Sequence, residues 1–157
     1  RIGDWEADTV IGRQGGAVLV TLVERKSRFS LIIRAENKTA TAVSAAMTTA
    51  MSPHAAHVHT LTYDNGKEFA YHLKVSDELE AKGFFAHPYH SWERGLNENT
   101  NGLIRQYLPK GKSFDDLTDQ DVVDIMDRLN NRPRKCLGFR TPNEVFRKDK
   151  SDVALAS

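Results

Sequence analysis

Residues Ala17–Val23 form a nearly continuous run of apolar, largely β-branched side chains, which suits a buried strand better than any other element. Around it the chain reads as more strand. Asp4–Arg13 has strand character and ends at the turn signal Gly15-Gly16, and Ser30–Arg34 supplies a third run. Connections this short make the three an antiparallel meander. The pattern then changes period. Thr39 is placed to cap an Ala- and Met-rich helix through Met51 that Pro53 closes. Val58–Tyr63 reads as a strand, and Asp64-Asn65-Gly66 turns out of it into a helical stretch, Glu68–Lys82, that stops at Gly83. Phe84–Ala86 is a short strand, and the polar loop His87–Arg94 leads to a helix over Leu96–Leu108, halted by Pro109. Leu117–Leu129 is amphipathic, and Thr141-Pro142 opens a last short helix with Pro at its first position.

Three strands, then helix, strand, helix, strand, helix, predict an α/β domain: a mixed five-stranded sheet flanked by helices, with a C-terminal helical extension. A chain of 157 residues is one domain by length and buries roughly 70% of the surface its unfolded form exposes. We expect the core to span residues 1–112, the helical extension of the same domain 113–150, and a tail 151–157. With 39% hydrophobic and 27% charged residues the composition is that of a globular protein, and no apolar run approaches the roughly 20 residues of a membrane-spanning helix. The single cysteine, Cys136, excludes an internal disulfide and fits a reducing, cytoplasmic setting. Because the chain opens at Arg1 without an initiator Met and runs straight into strand sequence, it reads as part of something longer.

The net charge of +1 conceals segregation. Six acids and no Lys or Arg occupy Asp115–Asp127, whereas eight bases stand against three acids from Arg128 to Ser157. Such a stripe suits a polyanion, and it equally describes a solvated helix and tail.

Metal-dependent phosphoryl transfer needs acidic ligands drawn from separate elements, because hard cations such as Mg²⁺ prefer carboxylate oxygens. Asp8 in the first strand, Asp64 at the end of the fourth and Glu98 in the first turns of a helix are so placed. Strand ends are where α/β sheets collect functional groups, although Asp-Asn-Gly is also ordinary turn chemistry. On the first strand alternation puts Asp4, Glu6 and Asp8 on one face, opposite Trp5, Ala7 and Thr9, and these residues alone do not choose among the three acids. Arg94 and Arg105 share the Glu98 helix face. His54, His57 and His59 straddle a Pro-terminated helix end without cysteine support or a convincing zinc spacing. Cys136 has no accompanying catalytic pattern.

Three stretches, Trp5-Glu6-Ala7-Asp8-Thr9-Val10, Tyr63-Asp64-Asn65-Gly66-Lys67-Glu68-Phe69 and Trp92-Glu93-Arg94-Gly95-Leu96-Asn97-Glu98-Asn99, resemble the three acidic motifs of bacterial insertion-sequence transposases. The similarity is to the family numbered thirty, within the retroviral-integrase-like superfamily with its ribonuclease-H-like fold. The 98 − 64 = 34 positions from Asp64 to Glu98 are similar to that family's spacing, and Asn130-Asn131-Arg132-Pro133-Arg134-Lys135, Leu137-Gly138-Phe139 and Thr141–Phe146 resemble its tail block. The resemblance covers residues 1 to about 148.

What the resemblance implies is specific. It assigns catalysis and metal binding to Asp8, Asp64 and Glu98, leaves Asp4 and Glu6 structural, and brings in two Mg²⁺ or Mn²⁺ ions per site in the DNA-bound state. It implies cutting and joining of DNA at inverted-repeat ends, joining into target DNA, a homo-oligomer on DNA, a preceding helix-turn-helix region, and no membrane or small-molecule substrate. Arg94, Asn97, Arg105, Lys110, Lys112, Arg132, Arg134 and Lys135 are the expected nucleic-acid contacts, and Asn65, Gly66, His90 and Trp92 the supporting shell. Relatives often carry a base four residues after the Glu; here that position is Gly102, which shifts weight to Arg105. A nuclease of the same fold without strand transfer, and a catalytically silent DNA-binding module, are the rival readings. The complete acid trio opposes the silent module and the tail block opposes the nuclease.

Overall fold

The computed structural model describes residues 1–64, 66–86 and 95–148. Its five strands, β1 (Asp4–Ile11), β2 (Val18–Glu24), β3 (Ser30–Ala35), β4 (Thr60–Tyr63) and β5 (Lys82–Phe85), form one sheet in the order β3-β2-β1-β4-β5. The meander expected at the N-terminus is present: β1 pairs antiparallel with β2, and β2 with β3. β4 then joins β1 in parallel, and β5 joins β4 in parallel. A mixed sheet results, flanked by helices as the element order predicts.

Both faces are covered, so alternation along β1 is read by two different cores. Trp5 and Ala7 point with Val20, Leu22, Leu61 and Tyr63 into the layer closed by α1 (Ala40–Met51) and α2 (His72–Leu79). Val10, Leu19 and Ile32 point the other way, into a layer closed by Ile104 and Leu108 on and after α3 (Gly95–Tyr107), and by Val122, Ile125 and Leu129 of α4 (Asp119–Asn130). The two layers explain the continuous apolar run: every position of β2 is buried because neither face meets water.

The ends of the helices follow their capping chemistry. Thr39 accepts a hydrogen bond from the Ala42 N–H at the start of α1 (3.2 Å), and Pro53 falls in a 3₁₀ turn, Ser52–His57, directly after it. Thr118 and Asp121 form a reciprocal capping box at α4. Thr118→Ala is expected to lower stability by about 1 kcal/mol, read as a fall in the urea midpoint without a change in slope.

The stretch expected as one helix from Glu68 to Lys82 is divided. A 3₁₀ turn covers Lys67–Phe69, α2 ends at Leu79, and Glu80 adopts the left-handed conformation (φ 52°) that stops it. Gly83 is therefore no helix stop. It lies inside β5, paired with Leu61, where a Cβ would meet Ser76 Oγ at 2.9 Å and the Tyr63 ring at 3.2 Å. Strand pairing with β4 captures Lys82 and Gly83, a long-range gain that local helix propensity does not register.

The tail block closes the core from below. Phe146, in the helix over residues 142–148 that Thr141 caps, stacks on Phe29 (centroids 4.3 Å, planes 6° apart) and meets Trp5 edge-on. His54 joins the same aromatic group, and the His57 carbonyl accepts the Trp5 indole N–H at 2.8 Å.

Candidate active site

The parallel pairing of β1 with β4 sets the site. Asp4 lies opposite Thr60 and Glu6 opposite Thr62, the last pair of the ladder; Asp8 lies two residues further along β1, and Asp64 directly follows the last residue of β4. Side chains at matched positions of parallel strands share a face. Parallel pairing thus brings two carboxylates from distant parts of the chain to the same end of the sheet.

Helix α3 lies over that place and changes chemistry along its length to match. Its inner face is polar at Asn97, Thr100 and Asn101, above Ala7 and Asp8, and apolar at Ile104, above Val10 and Leu19. Asn101 Nδ2 donates to Asp8 Oδ2 (3.1 Å), the Thr9 N–H donates to Asp8 Oδ1 (2.8 Å), and Asn97 Nδ2 approaches the Ala7 carbonyl at 3.5 Å. Glu98 sits in the first turn of this helix, exposed, three residues before Asn101 and so on a nearby stripe of the surface. Asp64 accepts a hydrogen bond from the Gly66 N–H through Oδ1 (2.8 Å), the side-chain turn that its sequence suggests.

The three acids of the β1 face have different surroundings. Asp4 pairs with Arg1 (3.2 Å) and accepts from Thr60 Oγ1 (2.8 Å). Burial pushes its carboxyl up, but the Arg1 and Thr60 hydrogen bonds and the Arg1 charge together outweigh this and hold it below the usual carboxylate range. Glu6, 2% exposed, pairs with Arg25 (3.1 Å). Asp8 instead faces the amide of α3.

Among the described residues no group of three or more His, Cys, Asp or Glu side chains is close enough to hold a metal ion. Asp8, Asp64 and Glu98 therefore do not form such a group in this structure. The surroundings nevertheless suit a cation. Among the described residues the Oδ1 atoms of Asn97 and Asn101 are buried and accept no hydrogen bond, which leaves oxygen acceptors without donors beside Asp8.

The expected nucleic-acid contacts separate into two groups. Lys110, Lys112, Arg132 and Lys135 are exposed, Arg132 donating to Gln106 across from α3 (3.2 Å). Three others are committed to the fold. Arg105 donates to the Ile11 carbonyl (2.7 Å) and lies 5.9 Å from the Phe114 ring, pinning α3 to the end of β1. Arg134 is 9% exposed, donates to the Leu129 carbonyl (3.1 Å), and burial lowers its pKa. Asn97 is 1% exposed. In this structure Arg134 and Asn97 are buried and bond within the protein. Asn65, His90, Trp92 and Arg94 lie outside the described residues.

Two residues emerge that sequence reasoning missed. Asn101 could have been noticed as a polar residue one turn after Glu98, on the helix face that also carries Asn97 and Ile104. Glu68 carries no such signal: it is polar in a mixed stretch, yet only 5% exposed, with Thr9 Oγ1 donating to Oε1 (3.2 Å) and Lys38 Nζ 3.6 Å away.

No family model matches the chain. It is 46% identical, over its whole length, to the transposase for insertion sequence element IS4351 of Bacteroides fragilis, and 40% identical over 92% of its length to transposase InsI for element IS30A of Escherichia coli strain K12. The chain spans 49% and 38% of those proteins, so about half or less of the curated relatives it matches. Among solved structures, the catalytic core domain of BIV integrase superposes with TM-score 0.74 at 18% identity, covering 98% of this chain and 99% of that one. The HTLV-2 integrase catalytic core domain, solved in complex with magnesium in a trimeric form, gives 0.69 at 18% identity, covering 92% and 95%. In sequence the chain is similar to insertion-sequence transposases of the IS30 type, matching about half or less of each, and in structure it has the ribonuclease-H-like fold of an integrase catalytic core.

Proposed function

We propose that this chain is the catalytic part of a transposase that cleaves DNA at the ends of its element and joins those ends to target DNA, with Asp8, Asp64 and Glu98 holding two divalent cations, Mg²⁺ or Mn²⁺. The observation that carries the reading is the register of β1 and β4. Continued past its last pair, Glu6 with Thr62, that register leads Asp8 toward Asp64, under a helix that carries Glu98 in its first turn and is tied to Asp8 by Asn101.

The cations supply activation of water or a 3′-hydroxyl and stabilisation of the leaving oxygen. The remaining work falls to the chain. Asp8 provides a hard oxygen donor from strand β1 and Asp64 one from the turn after β4, Glu98 adds a third from the helix, and Asn101 orients the Asp8 carboxylate through its amide hydrogen bond. Exposed Lys110, Lys112, Arg132 and Lys135 provide the charge that draws in and positions the phosphate backbone. The whole enzyme works on DNA as a homo-oligomer, in keeping with the trimeric form of the HTLV-2 core and the intasome of the simian T-cell lymphotropic virus that share this fold.

The test is cleavage and joining of DNA bearing the element's ends by the full-length protein with Mg²⁺ or Mn²⁺. Glu98→Gln and Asp64→Asn are each expected to remove both steps while leaving the folded state intact. Normal cleavage by either variant refutes the assignment. Cleavage without joining by the unaltered protein would favour the nuclease reading.

A further inference from the structure

The two strand-borne acids are connected behind the sheet by a single buried carboxylate. Glu68 lies in the 3₁₀ turn that follows Asp64, 5% exposed. Its Oε1 accepts the Thr9 hydroxyl (3.2 Å), and the Thr9 N–H in turn donates to Asp8 Oδ1 (2.8 Å). Its other side lies against Gly66, where a Cβ would collide with the Glu68 carboxylate, and the Gly66 N–H donates to Asp64 Oδ1 (2.8 Å). One side chain therefore touches the neighbour of Asp8 and the partner of Asp64.

Burial of a carboxylate at this place needs an explanation. Next to Phe69 and Tyr63, in the layer beneath α1, an apolar residue of similar volume would pack without desolvation cost. Among the described residues the cation paired with it is Lys38, which is itself 43% exposed and precedes α1. The ion pair is thus half in solvent and adds little stability by itself. What the carboxylate supplies is geometry: a fixed acceptor for Thr9, and a wall against which the Gly66 backbone turns toward Asp64.

We propose that Glu68 is a positioning residue, which sets the Asp64 turn against β1 and so fixes the spacing of Asp8 and Asp64. The idea rests on the metal-site reading above. It gives Gly66 a definite reason to be glycine, since any side chain there would displace the carboxylate. Residues that hold metal ligands in place typically change metal affinity by 10- to 100-fold when removed.

The experiment uses the full-length protein and two readouts: Mn²⁺ binding by titration calorimetry without DNA, and the Mn²⁺ concentration giving half-maximal cleavage. Glu68→Ala is expected to weaken Mn²⁺ binding about 10-fold or more and to raise the half-maximal concentration to match. Glu68→Gln, which still accepts from Thr9, should recover most of the loss. Thr9→Val removes the hydroxyl without touching Glu68 and should move both readouts in the direction of Glu68→Ala, which keeps the idea testable should that variant fold poorly. Lys38→Met, which breaks only the ion pair, should leave both near the unaltered values. Unaltered Mn²⁺ binding in Glu68→Ala and Thr9→Val overturns the proposal while leaving the trio in place. An unaltered protein that binds no Mn²⁺ and cleaves independently of it sinks the metal site itself, and this proposal with it.

Discussion

Asp8→Asn will lower metal-dependent strand cleavage by about 100-fold or more, and Asp4→Asn will leave it within a few-fold of the unaltered enzyme. The two residues share a strand face and a residue type, so the contrast isolates position. Asp4 is held by Arg1 and Thr60 at the beginning of β1, opposite Thr60 of β4, at the end of the sheet away from Asp64. Asp8 lies two residues beyond the last β1–β4 pair, toward the end of β4 that Asp64 follows, and receives the Asn101 amide from α3. Glu6→Gln falls between them in place but not in kind. Its carboxylate is buried against Arg25, and the substitution should reduce stability while sparing cleavage per folded molecule. Strand-cleavage rates on DNA with the element's ends, normalised to the folded fraction, decide the matter. A loss for Asp4→Asn as large as for Asp8→Asn would move the ligand to the wrong residue and discard the register argument.

Phe146→Ala will destabilise the fold by about 3–5 kcal/mol, a large part of the stability of an ordinary domain. Phe146 is 2% exposed and stacked on Phe29, with Trp5, His54 and His57 around it. Removing the ring leaves a cavity beneath the first residues of β1, where the surrounding aromatic groups cannot all collapse into it. Phe139→Ala is the internal control, because that ring is 69% exposed and its loss should change stability little. Urea unfolding followed by tryptophan fluorescence measures both, since Trp5 reports on the same cluster. Equal midpoints for the two variants would show that the tail is an appendage and not part of the core.

The same cluster bears on what the tail block does. Read from its charges, the stretch from Arg128 onward suits a polyanion and equally describes a solvated tail. In the folded chain the block is divided by burial: Arg134 and Phe146 turn inward and support the sheet, while Arg132 and Lys135 remain outside. Charge counted along a sequence does not distinguish a guanidinium that caps the Leu129 carbonyl from one that meets a phosphate. That distinction depends on which side of the 134–140 loop each residue occupies, and the loop is closed by reciprocal backbone hydrogen bonds between Arg134 and Arg140 or Phe139.

Much of the fold and part of the site were legible beforehand. The strand character of β1, β2 and β3, the Thr39 cap, the polar alternation of Asp4, Glu6 and Asp8, and the turn chemistry of Asp64 and Gly66 all follow from residue type and spacing, because hydrophobic period and local hydrogen bonding operate within a few residues. The division of the 68–82 stretch did not follow, since capture of Lys82 and Gly83 by β4 is a contact with residues about 20 positions away. Nor did the placing of Asp8 and Asp64 at the same end of the sheet, which follows only because β4 enters it beside β1 and parallel to it. Sequence by itself determined which groups are available for chemistry and which strands could present them. Tertiary structure alone decided that Asp8 and not Asp4 lies toward the end of the sheet where Asp64 follows β4, that Arg134 and Asn97 are interior, and that Glu68 is buried against Thr9 and Gly66. Register and burial are properties of paired strands and packed layers, and no single segment of chain contains them.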